Sequence, residues 1–363
     1  MPDLKIKKIS YAELREKPIE VKDDRYGIAA FFTESIRQTF LACPGIQDEK
    51  ECAVLLLMDG DIVIGRDICF VTRLKIGDEI VPVHTGCSQM VCEEYRKIGA
   101  GVLLFTANPN EDKFNFGASY TAMRVEMLKK QKRVIFEIPQ YTKIINTRPV
   151  FESLFKLKGA LLKVAIWGGN ILLGLMDVPN KIKTKKLLKK YSIKKEIFVP
   201  EWAGEMAIND GHKYMEYHDA KWLQWNLDHN MNGYPDDIQS FYTVWDKSGN
   251  PMGFFMTKER FEIEAGKYKN IIRGTIVEWE SVDKEKLSEA DLNLLAISTF
   301  SQKVSQITSA TVDKETQKSF KKMYFRYNYD FKMSFKDKTG NYADCAEMSN
   351  WRLRLGCSNS IIY

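Results

Sequence analysis

MVCEEYRKIGAGVLL, Met90 to Leu104, is the stretch that most restricts what this chain can fold into. An apolar run with strand character passes two carboxylates, Glu93 and Glu94. It then runs through Arg96-Lys97-Ile98-Gly99-Ala100-Gly101 into a segment with helical character. A strand and a helix joined this closely must lie in adjacent layers, so the chain builds a sheet with helices packed on it. The glycines have two explanations. Either the turn needs a residue at φ > 0, or bare backbone amides, with Arg96 and Lys97 beside them, cradle an anionic group such as a pyrophosphate.

The flanks extend the same pattern. Asp24 to Leu41 carries Ile28, Phe31, Phe32, Ile36 and Phe40 at helical spacing. ECAVLLLM (51–58), IVIGRDICFVTRLKI (62–76) and IVPVHTGCSQMVC (80–92) read as three strands, separated by the turns DGD and GDE. Beyond the glycine stretch come a helix to about Thr106, a turn at NPNEDK, a short strand FNFGA (114–118), a helix over 119–132 and a strand over 133–145. With 363 residues, the chain is too long for one ordinary core. From Glu201 the order of elements repeats. SFYTVWD, MGFFMTKERFEI and IIRGTIVEWESV are strands. A helix capped by Ser288 follows, then SQITSATV, the helix KETQKSFKKMYFRYN and the strands DFKMSFKD and WRLRLG. An internal duplication is the simplest account.

Between the two blocks the chain changes character. Residues 159–176 are apolar, with Lys163, Asn170 and Asp177 spaced seven apart along one stripe, and NKIKTKKLLKKYSIKK (180–195) follows. Residues 151–200 hold eleven lysines against three acids, which exceeds the whole chain's net +6. The basic excess is therefore local, and no nucleic-acid partner is expected. The 159–176 segment either packs between the two domains, which we take as the expectation, or makes a peripheral membrane contact together with the lysines through 195. Seven cysteines, with no CxxC and mostly inside apolar runs, read as reduced buried thiols. No metal site is expected, and DHNMNGYPDD (228–237) reads as a polar turn because a calcium loop's acidic spacing is missing. The first 25 residues show no apolar signal segment, so a cytoplasmic location is expected.

Taken with its flanks, the Met90–Leu104 stretch resembles motif A of the GNAT superfamily of acyl-CoA N-acyltransferases. In that motif an R/Q-x-x-G-x-G/A loop follows the fourth strand and opens the third helix. Met90, Val91 and Cys92 match the strand, Arg96 to Gly101 the loop, and Val102, Leu103 and Leu104 the buried helix face. MDGDIVIG resembles the hairpin of strands two and three, and FNFGASYTAMRVEMLKK the fifth strand and fourth helix. The likeness covers most of residues 24–145, and the layout as a whole resembles the tandem GNAT proteins of bacteria. It implies an α+β fold of two GNAT-like domains, each a mixed, mostly antiparallel sheet flanked by helices. Their expected bounds are 1–150 and 201–363, with a basic helical linker at 151–200. IVEWESVDKEKLSEADLNLL has no glycine pair at the corresponding place, so the second domain is expected to be degenerate and to shape an acceptor site or the interdomain face.

The resemblance further implies the co-substrate, acetyl-CoA or another acyl-CoA. The amides of Lys97, Ile98, Gly99, Ala100 and Gly101 would hold its pyrophosphate, with Arg96 at the mouth. The backbone of Met90, Val91 and Cys92 would hold the pantetheine arm, and the acyl group would pass directly to the primary amine of a small molecule. Catalytic residues are less evident. The family's helix tyrosine falls near Met127, which cannot donate a proton; Tyr120 is a displaced candidate acid. Glu93, Glu94 and His84 are candidate bases. An acyl-cysteine at Cys87 or Cys92 is disfavoured, because no histidine neighbours either in sequence. A non-catalytic scaffold that keeps the fold is the alternative.

Overall fold

The structure is a computed structural model that describes residues 2–107, 109–110, 112–118, 121–229 and 237–357. It opens with β1 (Leu4–Ser10), α1 (Tyr11–Glu16) and α2 (Glu34–Leu41). Next come β2 (Cys52–Asp59), β3 (Ile62–Ile76), β4 (Glu79–Val91), α3 (Glu93–Arg96) and α4 (Ala100–Thr106). β5 (Phe114–Ala118), α5 (Ala122–Lys130) and β6 (Val134–Ile144) complete the first half. α6 (Gly159–Met176) and α7 (Val178–Lys190) form the middle. The second half runs β7 (Tyr191–Glu196), α8 (Glu201–Ile208), β8 (Tyr214–Glu216), α9 (Ala220–Asp228), β9 (Ile238–Asp246) and β10 (Pro251–Ala265). It ends with β11 (Tyr268–Ser281), α10 (Glu289–Ile297), β12 (Gln306–Ala310), α11 (Lys314–Lys322), β13 (Arg326–Asp337) and β14 (Trp351–Arg352). The expected polar turn at 228–237 falls largely outside the described residues.

The duplication is visible in the order of elements: β9-β10-β11-α10-β12-α11-β13 repeats β2-β3-β4-α4-β5-α5-β6. The strands then interleave. One sheet joins β1, β2, β3 and β4 to β8 and β14, and the other runs β5-β13-β6-β12-β11-β10-β9-β7. The last long strand of the chain, β13, therefore lies between β5 and β6, while β6 lies between β13 and β12. Each half receives its final strand from the other, so neither sheet is complete without residues from both.

Packing follows the same exchange. Trp225 of α9 stacks on Phe70 of β3 with ring centroids 5.6 Å apart and donates its indole N–H to the Thr39 carbonyl at 2.9 Å. Trp351 lies among Phe335, Tyr214, Phe136 and Phe116, with centroids at 4.7, 5.2, 5.4 and 6.2 Å. Trp222, Trp225, Trp279 and Trp351 are all core residues. Because Trp351 draws rings from both sheets, Trp351→Ala is expected to destabilise the whole chain by about 4 kcal/mol. Chemical denaturation should show one transition moving to lower denaturant, rather than a second transition splitting off.

Several expectations need correction. The helix expected over 24–41 occupies only Glu34–Leu41. Gly27 turns the backbone at φ +65°, and the Asp24 carboxylate accepts the amides of Ala29 and Ala30, so no helix starts until Thr33 caps one. The lysine-rich 180–195 segment divides into the end of α7 and the start of β7. Only Trp351–Arg352 of WRLRLG is strand. The expected packing of residues 159–176 between domains does not occur, since no residue of α6 is buried.

Candidate active site

β4 is an edge strand paired to β3, and its regularity fails at one place. The register passes from Arg66↔Met90 to Ile68↔Cys87, so Ser88 and Gln89 together face Asp67. Ser88 takes the left-handed conformation, φ +52°. Such a bulge bends its strand and re-aims neighbouring side chains. Beyond β4 the sheet does not continue: among the described residues no ladder joins β4 to β5. In the repeat, by contrast, β11 and β12 are zipped in parallel through Arg273–Thr275 and Gln306–Thr308.

The strand leads into the glycine turn. Cys92 ends it, donating its amide to the Ile64 carbonyl at 2.9 Å, and α3 adds a single turn. Gly99 stands at φ +81° as the residue before α4. Its left-handed backbone alone accounts for one glycine. Gly101 has no such need. A Cβ there would meet only Val91 Cγ2, at 4.0 Å. Among the described residues, no hydrogen bond occupies the amides of Ala100 and Gly101, and Gly99 is exposed. The Arg96 side chain turns back, donating from Nε to the Val91 carbonyl at 2.9 Å, while Lys97 extends into solvent. One expectation for the helix fails: of the three residues assigned to its buried face only Leu104 is buried, and Val102 and Leu103 face water. A helix of two turns covers little, and Ala100 and Leu104 already fill its contact with the sheet.

A cleft of about 440 Å³ lies where β4 and β5 part. Asp67, His84 and Gly86 line one side, Phe105 and Thr106 of α4 and Arg124 and Leu128 of α5 another, with Arg133, Lys336 and Lys338 adding positive charge. Asp67 is 4% exposed, and its Oδ1 has no hydrogen-bond partner among the described residues. Burial pushes its carboxyl up to about 7, with Arg124 pulling the other way. Its floor is Gly86, where a Cβ would stand 3.2 Å from both carboxylate oxygens. Arg124 lies over the Phe105 ring and donates to Gln89 Oε1 at 2.6 Å. Gln89 in turn reaches Asp67 Oδ2 at 3.5 Å.

His84 sits in this cleft with both ring nitrogens engaged: Nδ1 is 2.8 Å from Asp112 Oδ1, and Nε2 is 3.2 Å from Glu51 Oε2. Burial alone would lower its pKa, but the Asp112 and Glu51 carboxylates outweigh burial and raise it above the ordinary imidazole value. With both nitrogens engaged by carboxylates, the ring ties β4 to the entrance of β5, and neither nitrogen is turned toward a substrate. Stability from this tie is complete below the unfolded-state pKa and is lost as pH rises through the folded one. Melting curves across neutral pH should therefore fall less steeply for His84→Gln than for the unmodified chain.

The other candidates are dispersed. Glu93 and Glu94 are exposed on the first turn of α3 and are not among the residues lining the cleft. Tyr120 lies outside the described residues, and Met127 is half-buried on α5. All seven cysteines are buried and unbridged. Among the described residues no group of three or more His, Cys, Asp and Glu side chains could hold a metal ion. Asp67 and Arg124 went unnoticed in the sequence. One signal was available: an acid inside the fifteen-residue, otherwise apolar-flanked strand IVIGRDICFVTRLKI is costly unless it has a use.

At the matching place in the repeat, side chains replace bare backbone. Glu278 and Glu280 of β11 are buried against Arg352 and Arg354, and Glu289 opens α10 with a salt bridge to Lys284 at 2.7 Å. Against the opposing effect of burial, Arg352 and Arg354 with His218 hold the Glu278 carboxyl, and Arg354 with Lys284 the Glu289 carboxyl, well below the usual carboxylate range. On the far side of α5, a second cleft of about 730 Å³ is lined by Val125 and Lys129 of α5, Gln140, Lys258, Arg273 and Tyr329.

No protein-family model and no curated protein matches the chain. Solved structures do. An N-myristoyltransferase from Saccharomyces cerevisiae with bound myristoyl-CoA matches with a TM-score of 0.55 at 10% identity, over 93% of this chain and 83% of that one. Another crystal structure of Saccharomyces cerevisiae N-myristoyltransferase with myristoyl-CoA gives 0.56 at 12%, over 93% and 79%. A conserved protein of unknown function from Enterococcus faecalis V583, described as a probable N-acyltransferase, gives 0.50 at 12%, over 94% and 74%. At such identities the likeness is one of fold alone, and the fold is that of the yeast N-myristoyltransferase structures.

Proposed function

We propose that the chain transfers an acyl group, acetyl or longer, from acyl-CoA to the primary amine of a small molecule in the cytoplasm. The observation that carries this is the open seam between β4 and β5, which borders a cationic cleft and leads to an exposed glycine turn. The repeat zips the base of the same seam. The pantetheine arm would lie along the free edge of Met90–Cys92, with the pyrophosphate against the amides around Gly99 and Gly101. α4 is only seven residues long, so bare amides and nearby cations, rather than a helix dipole, would supply the attraction. That the bound ligand in the yeast fold relatives is myristoyl-CoA supports the choice of donor.

In the reaction the amine nitrogen attacks the thioester carbonyl, the C–N bond forms, the C–S bond breaks, and the amine's extra proton must leave. Asp67 is the group we assign to accept that proton, directly or through one water, in place of Glu93, Glu94 or His84. Arg124 would steady the negative charge that develops on the carbonyl oxygen and then on sulfur. The second half, with carboxylates where a phosphate would need bare amides, would hold no CoA and would instead line the acceptor's approach through the larger cleft. Residues 159–195 would supply the membrane contact.

Thiol release from acetyl-CoA and longer acyl-CoAs over a panel of amines tests the reaction. Acyl-CoA binding without thiol release would instead favour the scaffold alternative, for which the thioether of Met127 at the helix position of the family's acid is the supporting feature.

A further inference from the structure

α6 presents to water what a soluble helix buries. Its eighteen residues have a mean hydropathy of 1.5, and none is buried. Leu161, Val164, Trp167, Leu172 and Leu175 are 59–70% exposed, and Ile171 lies among them. Lys163 is the one charged residue of the helix. The opposite side is fixed to the body. Thr147 donates its amide and hydroxyl to Asn170 Oδ1 at 2.9 and 2.8 Å, and Lys143 meets Asp177 at 2.6 Å. Gly169 packs so tightly that a Cβ there would lie 2.8 Å from Thr147 Oγ1. Of the expected stripe of Lys163, Asn170 and Asp177, the last two form the seam by which the helix is attached, Lys163 is exposed, and the apolar face is turned outward.

We infer that α6 lies in the surface of an anionic lipid bilayer, with its Leu161–Leu175 face among the acyl chains and the body held above it. An exposed apolar surface this continuous marks an interaction site, and an in-plane helix with basic flanks is the form such a site takes on a membrane. Charge selects the occupant. Residues 151–200 carry eleven lysines against three acids, so a second copy would bring like charge to like charge, whereas anionic headgroups complement it. A shallow groove of about 490 Å³ along the attached edge is lined by Arg148 and Lys163 together with Ile166, Trp167, Asn170 and Ile171, placing two cations at headgroup level beside the apolar face. Spanning is disfavoured. Eighteen residues reach about 27 Å against a hydrocarbon core of roughly 30 Å. The helix is also fastened along its length, and α7 returns at once to the body, where Leu187 is buried and Lys183 meets Asp291 at 2.5 Å.

The inference stands independently of acyl transfer. Flotation of the full chain with phosphatidylcholine vesicles, with and without phosphatidylserine, tests it. Binding should be at least about tenfold tighter to the anionic vesicles and should weaken with salt. Brominated lipid should quench Trp167 fluorescence, a signal lost in Trp167→Phe. Leu172→Glu with Leu175→Glu should abolish flotation, while Ile263→Glu, an exposed apolar residue of β10, should not. Unchanged melting temperatures would show that the variants are folded, and acyl-CoA binding, measured separately, reports on the transferase proposal alone. Three results would overturn the inference: absence of flotation with both vesicles, resistance of the bound chain to alkaline extraction as for a spanning helix, or lipid-free dimers that the double glutamate variant dissolves.

Discussion

Gly101→Glu should abolish acyl-CoA binding in a chain that remains folded. Gly101 has ordinary helical space around it, with Val91 Cγ2 at 4.0 Å as the nearest atom to a new Cβ, so the fold itself does not require a glycine. A carboxylate there would point at the proposed pyrophosphate. Two like charges about 4 Å apart in a partly screened site repel by about 4 kcal/mol, which corresponds to roughly a thousandfold in affinity. Gly99→Ala should behave in the opposite way. At φ +81° a side chain strains the backbone, costing about 1 kcal/mol in stability, and it has open space around it, so binding should change far less. Calorimetry with CoA, alongside melting curves, separates the two. If Gly101→Glu binds CoA as tightly as the unmodified chain, the turn is not the phosphate site.

Much of this architecture was legible because it is written locally. Continuous apolar runs and Asp-Gly or Gly-Asp turns mark β2, β3 and β4, and β3 and β5 occupy the residues assigned to them from pattern alone. The glycine turn was legible as a turn, and Gly99's positive φ bears that out. Long-range pairing was not legible. Nothing in DFKMSFKD says that β13 passes between β5 and β6, because the partners are some two hundred residues away and strand exchange leaves the local pattern unchanged.

The same limit explains the site. His84 looked like a base because a lone strand histidine titrates near neutrality, but Asp112 and Glu51, 28 and 33 residues distant, convert it into a strut. Glu93 and Glu94 stood in the right place in sequence, at the end of the strand, but the α3 turn carries them into solvent. Asp67 is the converse. Its sequence context gives only an acid among aliphatics, and its position at the cleft depends on a bulge in the neighbouring strand that no spacing rule locates. For α6, apolar composition marked the helix and its ends, while its lack of buried residues is a property of the tertiary structure that no local pattern carries.

Asp67→Asn should reduce kcat/KM by about a hundredfold or more, within the range that positioned proton acceptors supply, while leaving acyl-CoA affinity intact. The substitution is nearly isosteric, and its amide oxygen can still accept from Gln89, so folding should survive. The pH dependence is the sharper readout. With the carboxyl near 7, activity in the unmodified chain should rise through neutral pH as Asp67 loses its proton, and that limb should vanish in the variant. Stability should move the opposite way. The folded chain holds this proton more tightly than the unfolded one, whose carboxyl titrates near its ordinary value. Stability attributable to Asp67 is therefore complete at low pH and falls as pH rises toward and through 7. Asparagine removes that loss, so the variant should be the more stable protein at alkaline pH, by on the order of 2–4 kcal/mol, and no more stable in acid. A variant that is both slower and tougher at high pH has lost a group held in an unfavourable state for use. One that keeps full activity and its neutral limb would return the search for the base to other groups in the cleft.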